Sequence, residues 1–220
     1  AVFSSGPTGP IDTTWHQFLA RSDQNLRIFI VDLYNGQLLR TIDTSIPYAF
    51  GGSLYNSTLD ADRGGGIAAS GRYSDDAVYL GYVKKDTTAG TWTKGGVLRI
   101  LTNHDTDPTN WTVSTVIDDI GPVTSAIAKL QDRKRNNLWL YFGSGRFYYR
   151  TNWGSNIDDA DGQRALYGIR EPCYTTYNTI DGTCSDSVTL ANLTDQTSSP
   201  QAALASGSRG WYITLDASST

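Results

Sequence analysis

The stretch "RIFIVDL" at Arg27–Leu33 returns in kind as "GVLRILT" at Gly96–Thr102 and as "ALYGIRE" at Ala165–Glu171. Ile28, Val97 and Leu166 hold matching places in the three runs and stand 69 residues apart at each step. Short strand-like runs at a fixed period are the mark of a β-array, because one such unit cannot bury its own apolar face and must stack on neighbours. The repeat therefore predicts an all-β chain. It reads as two to three blades of a larger β-propeller, each blade a four-stranded antiparallel sheet with long loops, and residues 1–220 form one partial domain.

Outward from the repeat, strand candidates alternate with turn chemistry. "LRIFIVDL" passes through Tyr34-Asn35-Gly36 into "QLLRTIDT", and Asn-Gly between two alternating runs is a strong hairpin signal. "SLYNSTLDA", "DAVYLGYVK", "GGVLRILT" and "WTVSTVID" follow, then "VTSAIAKLQ", "NLWLYFGSG" and "ALYGIREP", with "SVTLANLT" a weaker fourth strand. No useful length keeps helical periodicity; Thr13–Arg21 reads as a helical turn or a loop. The aromatic run Trp139–Tyr149 reads as an inner strand whose alternate rings pack between sheets.

Composition agrees. Thirteen Tyr, six Trp and 22 Gly with 18% charged residues favour strands and turns. A formal charge of −4 argues against a nucleic-acid partner, which needs a basic face. The dense basic cluster, Arg133-Lys134-Arg135, fits a solvated hairpin tip. No apolar run approaches the ~20 residues of a membrane-spanning helix, so membrane insertion is not expected. The sequence contains no Met, and "SRGWYITLD" at Ser208–Asp216 reads as a strand just opening. The expectation is a piece of a longer polypeptide.

Cys173 and Cys184 share one loop rich in Tyr, Thr, Asn and Gly. Such a pair fits a local disulfide formed in an oxidising compartment, with free thiols as the alternative. Zinc is disfavoured because no His lies near the pair in sequence. The two His, His16 and His104, read as loop residues. There is no HExxH, no G-x-S-x-G elbow, no Walker A loop and no G-x-G-x-x-G turn. A non-enzymatic role is the expectation.

Acidic loops carry the positive chemistry. Asp60 and Asp62 precede Gly64, with Asp75 and Asp76 at the far end of the same loop. Calcium takes six to eight oxygens, and carboxylates at alternate positions of a Gly-containing loop can converge on one ion. The regular loop pattern is not met, since Gly64 stands at position five. A second loop, Ser155–Arg164, carries Asp158, Asp159 and Asp161 before Gly162 and reads as a polar tip. Asp105 and Asp107 read as an Asp-Pro turn with a nearby Asn.

The order of these pieces resembles the C-terminal β-propeller of the PilY/PilC family of type IV pilus biogenesis and tip adhesin proteins. The stretches that carry the resemblance are "VFSSGPTGP", "IFIVDLYNGQLLRTIDT", "LDADRGGG…SDDAVYLGY", "GGVLRILT", "NWTVSTVID", "GPVTSAIA", "NLWLYFGSGRF", "ALYGIRE" and "RGWYITLD". They run in family order from Val2 to Asp216. The resemblance implies a modified propeller, export, and a place at the pilus tip or outer cell surface. It implies minor pilins and other pilus components as partners, with a host or abiotic surface as the contact. It also implies a calcium site, in which Asp60 and Asp62 match the first and third positions and Asp76 the last acid. The chain departs from the pattern by lacking the fifth-position acid and by an insertion, which leaves Asp75 as the substitute.

Two other classes follow from the same features. "VDLYNGQLLR" suits a blade of a quinoprotein-type dehydrogenase, which would carry pyrroloquinoline quinone beside a calcium ion. A glycan- or polymer-binding propeller with no pilus role is the other.

Overall fold

The computed structural model describes residues 1–9, 11–12, 17–18, 20–62, 75–146, 150–152, 155–157, 164–200 and 202–215. Each of the three repeated runs becomes an inner strand of its own sheet. The first sheet orders β1 (Val2–Ser4), β4 (Arg27–Val31) and β5 (Leu38–Asp43), and a separate ribbon pairs β2 (Ile11–Asp12) with β3 (Gln17–Phe18). In the second, β8 (Ala77–Lys84) and β9 (Lys94–Leu101) form the centre. β10 (Thr112–Ile117) flanks β9, while β6 (Ala49–Gly51) and β7 (Thr58–Leu59) share the other edge of β8. The third orders β11 (Ala128–Asp132), β12 (Asn137–Gly143), β15 (Ala165–Arg170), β17 (Gly210–Thr214) and β16 (Thr194–Asp195). A hairpin of β13 (Arg150–Asn152) and β14 (Ser155–Ile157) is inserted before β15. All named pairs are antiparallel except β16 with β17. Among the described residues, helical structure is confined to two short 3-10 turns, Pro108–Asn110 and Leu190–Asn192.

The period-two geometry of a strand explains how the sheets stack. The second sheet is buried on both faces. Ala77, Tyr79, Val97 and Leu101 pack toward Leu138, Leu140, Phe142, Tyr167 and Ile169 of the third sheet. The alternate residues Val78, Leu80, Tyr82, Leu98 and Ile100 pack toward Ile28 and Ile30 of the first. Each fully buried Ile or Leu in these layers contributes about 1.5–3 kcal/mol. Gly81 makes the stacking possible on one side: a Cβ there would lie 2.5 Å from the Val123 side chain and 2.6 Å from its carbonyl oxygen.

One hairpin turn recurs, and only its first copy carries Asn-Gly, the second having Ala89-Gly90. Asp32 and Gln37 close the β4–β5 hairpin: the Asp32 N–H donates to Gln37 O, and the Gly36 N–H returns to Asp32 O, both at 2.8 Å. The β8–β9 hairpin repeats this at Asp86–Thr91, with Gly90 in the place of Gly36. Both glycines are left-handed, at φ +76° and +77°, which other L-residues adopt only with strain.

The structure also corrects the reading. The sheets hold three, five and five strands, not four each, and the third contains a parallel pair. "SVTLANLT" is not one strand. The Thr189 N–H and hydroxyl both donate to Asn192 Oδ1 at 2.9 Å, and this closure makes a 3-10 turn before the two-residue β16. Gln17–Phe18 is a strand, where a helical turn or loop is expected; 13–16 and 19 lie outside the described residues. The aromatic run divides by face: Phe142 stacks on Tyr167 in the core, while Trp139 stacks on Tyr141 across the outer face of the third sheet. Phe147, Tyr148 and Tyr149 lie outside the described residues.

Candidate functional site

The site grows from a two-residue pairing. β7 meets the start of β8 through Thr58 with Val78 and Leu59 with Ala77, and the Asp76 N–H donates to Leu59 O at 2.6 Å. The chain thus leaves β7 into Asp60, Ala61 and Asp62 beside the point where it returns through Asp75 and Asp76. On the other side, Ala77 pairs with Leu101, and the Thr102 N–H donates to Asp76 O. After Thr102 the backbone turns sharply, with Asn103 and His104 both at φ 54°. That turn delivers the His104 imidazole to the same place.

Asp76 is the centre, with only 5% of its surface exposed. Its Oδ1 lies 2.7 Å from His104 Nε2, and its Oδ2 accepts the Ala61 N–H at 2.5 Å. Donor atoms of Asp62, Asp76 and His104 all lie within 4.8 Å of one another. Burial pushes the Asp76 carboxyl above its ordinary range, and the like charges of Asp62 and Asp60 add to that. The Ala61 N–H and His104 pull the other way. The third sheet supports the loop: Gln131 Nε2 donates to Ala61 O at 2.5 Å and Arg133 Nη2 at 3.2 Å.

The expected ligands therefore divide. Asp62 and Asp76 converge, and Asp60 lies close enough for its charge to be felt at Asp76. Asp75 is exposed, its carbonyl accepts the Thr102 hydroxyl, and its charge acts on Lys129. It does not join the cluster of Asp62, Asp76 and His104. His104, read as a loop residue, is the member that sequence alone misses. Two carboxylates, Asp62 and Asp76, converge here, and carboxylate oxygen is the donor type that calcium takes. The imidazole nitrogen is a donor better suited to zinc or copper, and here its Nε2 lies 2.7 Å from Asp76 Oδ1.

Other candidates resolve as structure or fall elsewhere. Asp105 accepts the Asp107 N–H and Asn110 Nδ2, and Asp107 accepts the Thr109 N–H, so that pair builds the turn it was read as. His16, Asp158, Asp159, Asp161 and Gly64 lie outside the described residues. Cys173 and Cys184 form the expected disulfide. Beside it is a buried ion pair that no sequence motif marks. Arg99 and Glu171 meet with both side chains fully buried, tying β9 to the end of β15. Arg99 Nη2 also donates to Ser114 Oγ and Asp186 O, and the Cys173 N–H donates to Glu171 Oε1.

No family model matches the sequence, and no curated protein matches it. Among solved structures, the fold is similar to that of the C-terminal domain of PilY1 from Pseudomonas aeruginosa, at 15% identity and a TM-score of 0.55. The similarity covers 89% of this chain and 46% of that one, so the chain spans about half the length of the structure it matches. At this identity the likeness is one of fold.

Proposed function

We propose that this chain is a non-enzymatic module of a type IV pilus-associated protein, exported to the pilus tip or outer cell surface. In this reading the three stacked meander sheets are two to three blades of a modified propeller. Its partners are minor pilins and other pilus components, and it contributes to pilus assembly, to the balance of extension and retraction, and to attachment on a host or abiotic surface. The observation that carries the reading is the fold likeness to the PilY1 domain across 89% of the chain. The disulfide supports an oxidising compartment.

The same reading places calcium at Asp60, Asp62 and Asp76. A bound cation would supply positive charge where the Asp62 and Asp76 carboxylates converge and the charge of Asp60 is felt. The chain's own part is to hold Asp76 through Ala61 and His104, so that the clustered charge is fixed before an ion arrives. Without the ion, the clustered carboxylates repel one another.

The test is recovery of the protein bearing this chain in the sheared pilus fraction of cells that make it. Co-sedimentation with assembled pili, and fewer surface pili when the segment is deleted, are the expected results. Absence from that fraction in fully piliated cells, with pilus number unchanged by deletion, would overturn the proposal.

A further inference from the structure

The opposite end of β8 from Asp76 carries a second arrangement of charged and aromatic groups. Lys85 follows directly after β8, so roughly 30 Å of extended chain separates it from Asp76. A cleft of 460 Å³ opens there, lined by Thr8, Arg21, Asp23, Tyr48, Lys85 and Trp92. Clefts of this size suit a small organic ligand.

Trp92 organises the cleft. Its indole N–H donates to Tyr48 O at 3.0 Å, and the same carbonyl accepts the Lys85 N–H at 3.1 Å. The Arg21 guanidinium stands 5.4 Å and the Lys85 ammonium 5.1 Å from the Trp92 ring, and Lys85 lies 5.3 Å from the Tyr48 ring. Two cations are thus placed on one indole by cation–π attraction. The Arg21 carbonyl accepts the Thr8 N–H, and the Thr8 hydroxyl donates to Asp23 Oδ1 at 2.7 Å. These bonds, with the Asp23 N–H donating to Thr8 Oγ1 at 3.0 Å, tie Thr8 to the segment that carries Arg21 and Asp23. Tyr48, 43% exposed and at φ 51°, presents a ring at the mouth.

Charge and shape narrow the ligand. Two cations on one ring exclude a metal ion. Asp23 works against a bare inorganic anion. A neutral sugar offers no charge opposite to those of Arg21 and Lys85. A molecule that carries a carboxylate, several hydroxyls and an apolar C–H face meets each wall with its complement. We propose that this cleft binds a carboxylate-bearing saccharide, with Arg21 and Lys85 on the carboxylate, Thr8 and Asp23 on the hydroxyls, and Tyr48 against the sugar ring. The inference is independent of the cation site and of the pilus reading.

Calorimetry of the 220-residue chain with an oligogalacturonate, and with its methyl ester, tests this. Binding of the uronate is expected, with about tenfold loss in Lys85→Gln and further weakening at high salt. Tyr48→Asn, which keeps a residue tolerant of positive φ, is expected to weaken binding as well. Thermal unfolding of each variant confirms that it is folded. No uronate binding by the intact chain would overturn the proposal. So would equal binding of the methyl ester, or unchanged affinity in both folded variants. Binding of a sulfated galactan in place of the uronate would overturn the carboxylate assignment.

Discussion

Glu171 and Arg99 show how much a single pair can carry. With both side chains fully buried, neither charge has water to fall back on. Removing one partner from such a pair typically costs about 3–5 kcal/mol, because the other is left charged in an apolar setting. Glu171→Gln is therefore expected to lower unfolding stability by about that much in urea titrations. Arg99→Met combined with Glu171→Leu should recover most of it. A loss below about 1 kcal/mol in the single variant would show that the pair is not buried as described. At this scale the sequence was readable in part. Asp60 and Asp62 stand out by their alternate spacing and Asp76 by the family resemblance, while Cys173 and Cys184 stand out by sharing a loop. His104 and the Arg99–Glu171 pair do not, because their partners are set by strand register. His104 reaches Asp76 only through the pairing of β8 with β9 and the turn after Thr102.

Turns and strands set that register. Gly36 and Gly81 separate two reasons for glycine. A Cβ at Gly36 would meet nothing within 4 Å, so Gly36→Ala is charged only for its left-handed backbone, about 1 kcal/mol. Gly81→Ala forces Val123 apart from the second sheet and should cost about 1–3 kcal/mol. Urea midpoints of the two variants check the order; equal costs would contradict the packing of Val123 on β8. The repeat itself was legible as strands but not as faces. Ile28 and Val97 are fully buried, whereas Leu166 is 44% exposed and its neighbours Ala165 and Tyr167 point inward. A one-residue offset exchanges the two faces of a strand, so a period in sequence fixes an element before it fixes a side. The weak run at "SVTLANLT" failed for a related reason, since Thr189 and Asn192 satisfy each other locally instead of pairing across a sheet.

Over the whole molecule, acidic turns couple stability to pH. Hydrogen bonds donated by Ser45, Ala89, Thr109, Arg135, Thr183 and Thr197 hold Asp43, Asp86, Asp107, Asp132, Asp181 and Asp195 below their ordinary carboxyl values. A carboxyl depressed in the folded state stabilises above the unfolded value, and that contribution disappears as pH falls through the folded one. The urea midpoint should therefore drop as pH falls below about 4. A midpoint unchanged down to about pH 3 would contradict the turn assignments. Reduction of the Cys173–Cys184 bridge, which closes a short loop, should cost about 3 kcal/mol and lower the melting temperature. Stacking of the sheets was foreseeable from a repeat whose units cannot stand alone. The uneven strand counts were not, because edge strands as short as β6, β7 and β16 carry too little pattern to read.

The calcium dependence proposed for this chain turns on whether Asp60, Asp62 and Asp76 take an ion. The most direct measurement is calorimetric titration of calcium into the 220-residue chain, with Asp62→Asn beside it. That variant removes one converging carboxylate and leaves the bonds from Asp76 to His104 and Ala61 in place. Calcium binding that weakens about tenfold or more in the variant is the predicted result. A folded parent chain that binds no calcium, or a variant that binds it unchanged, would contradict the cation site at Asp60, Asp62 and Asp76.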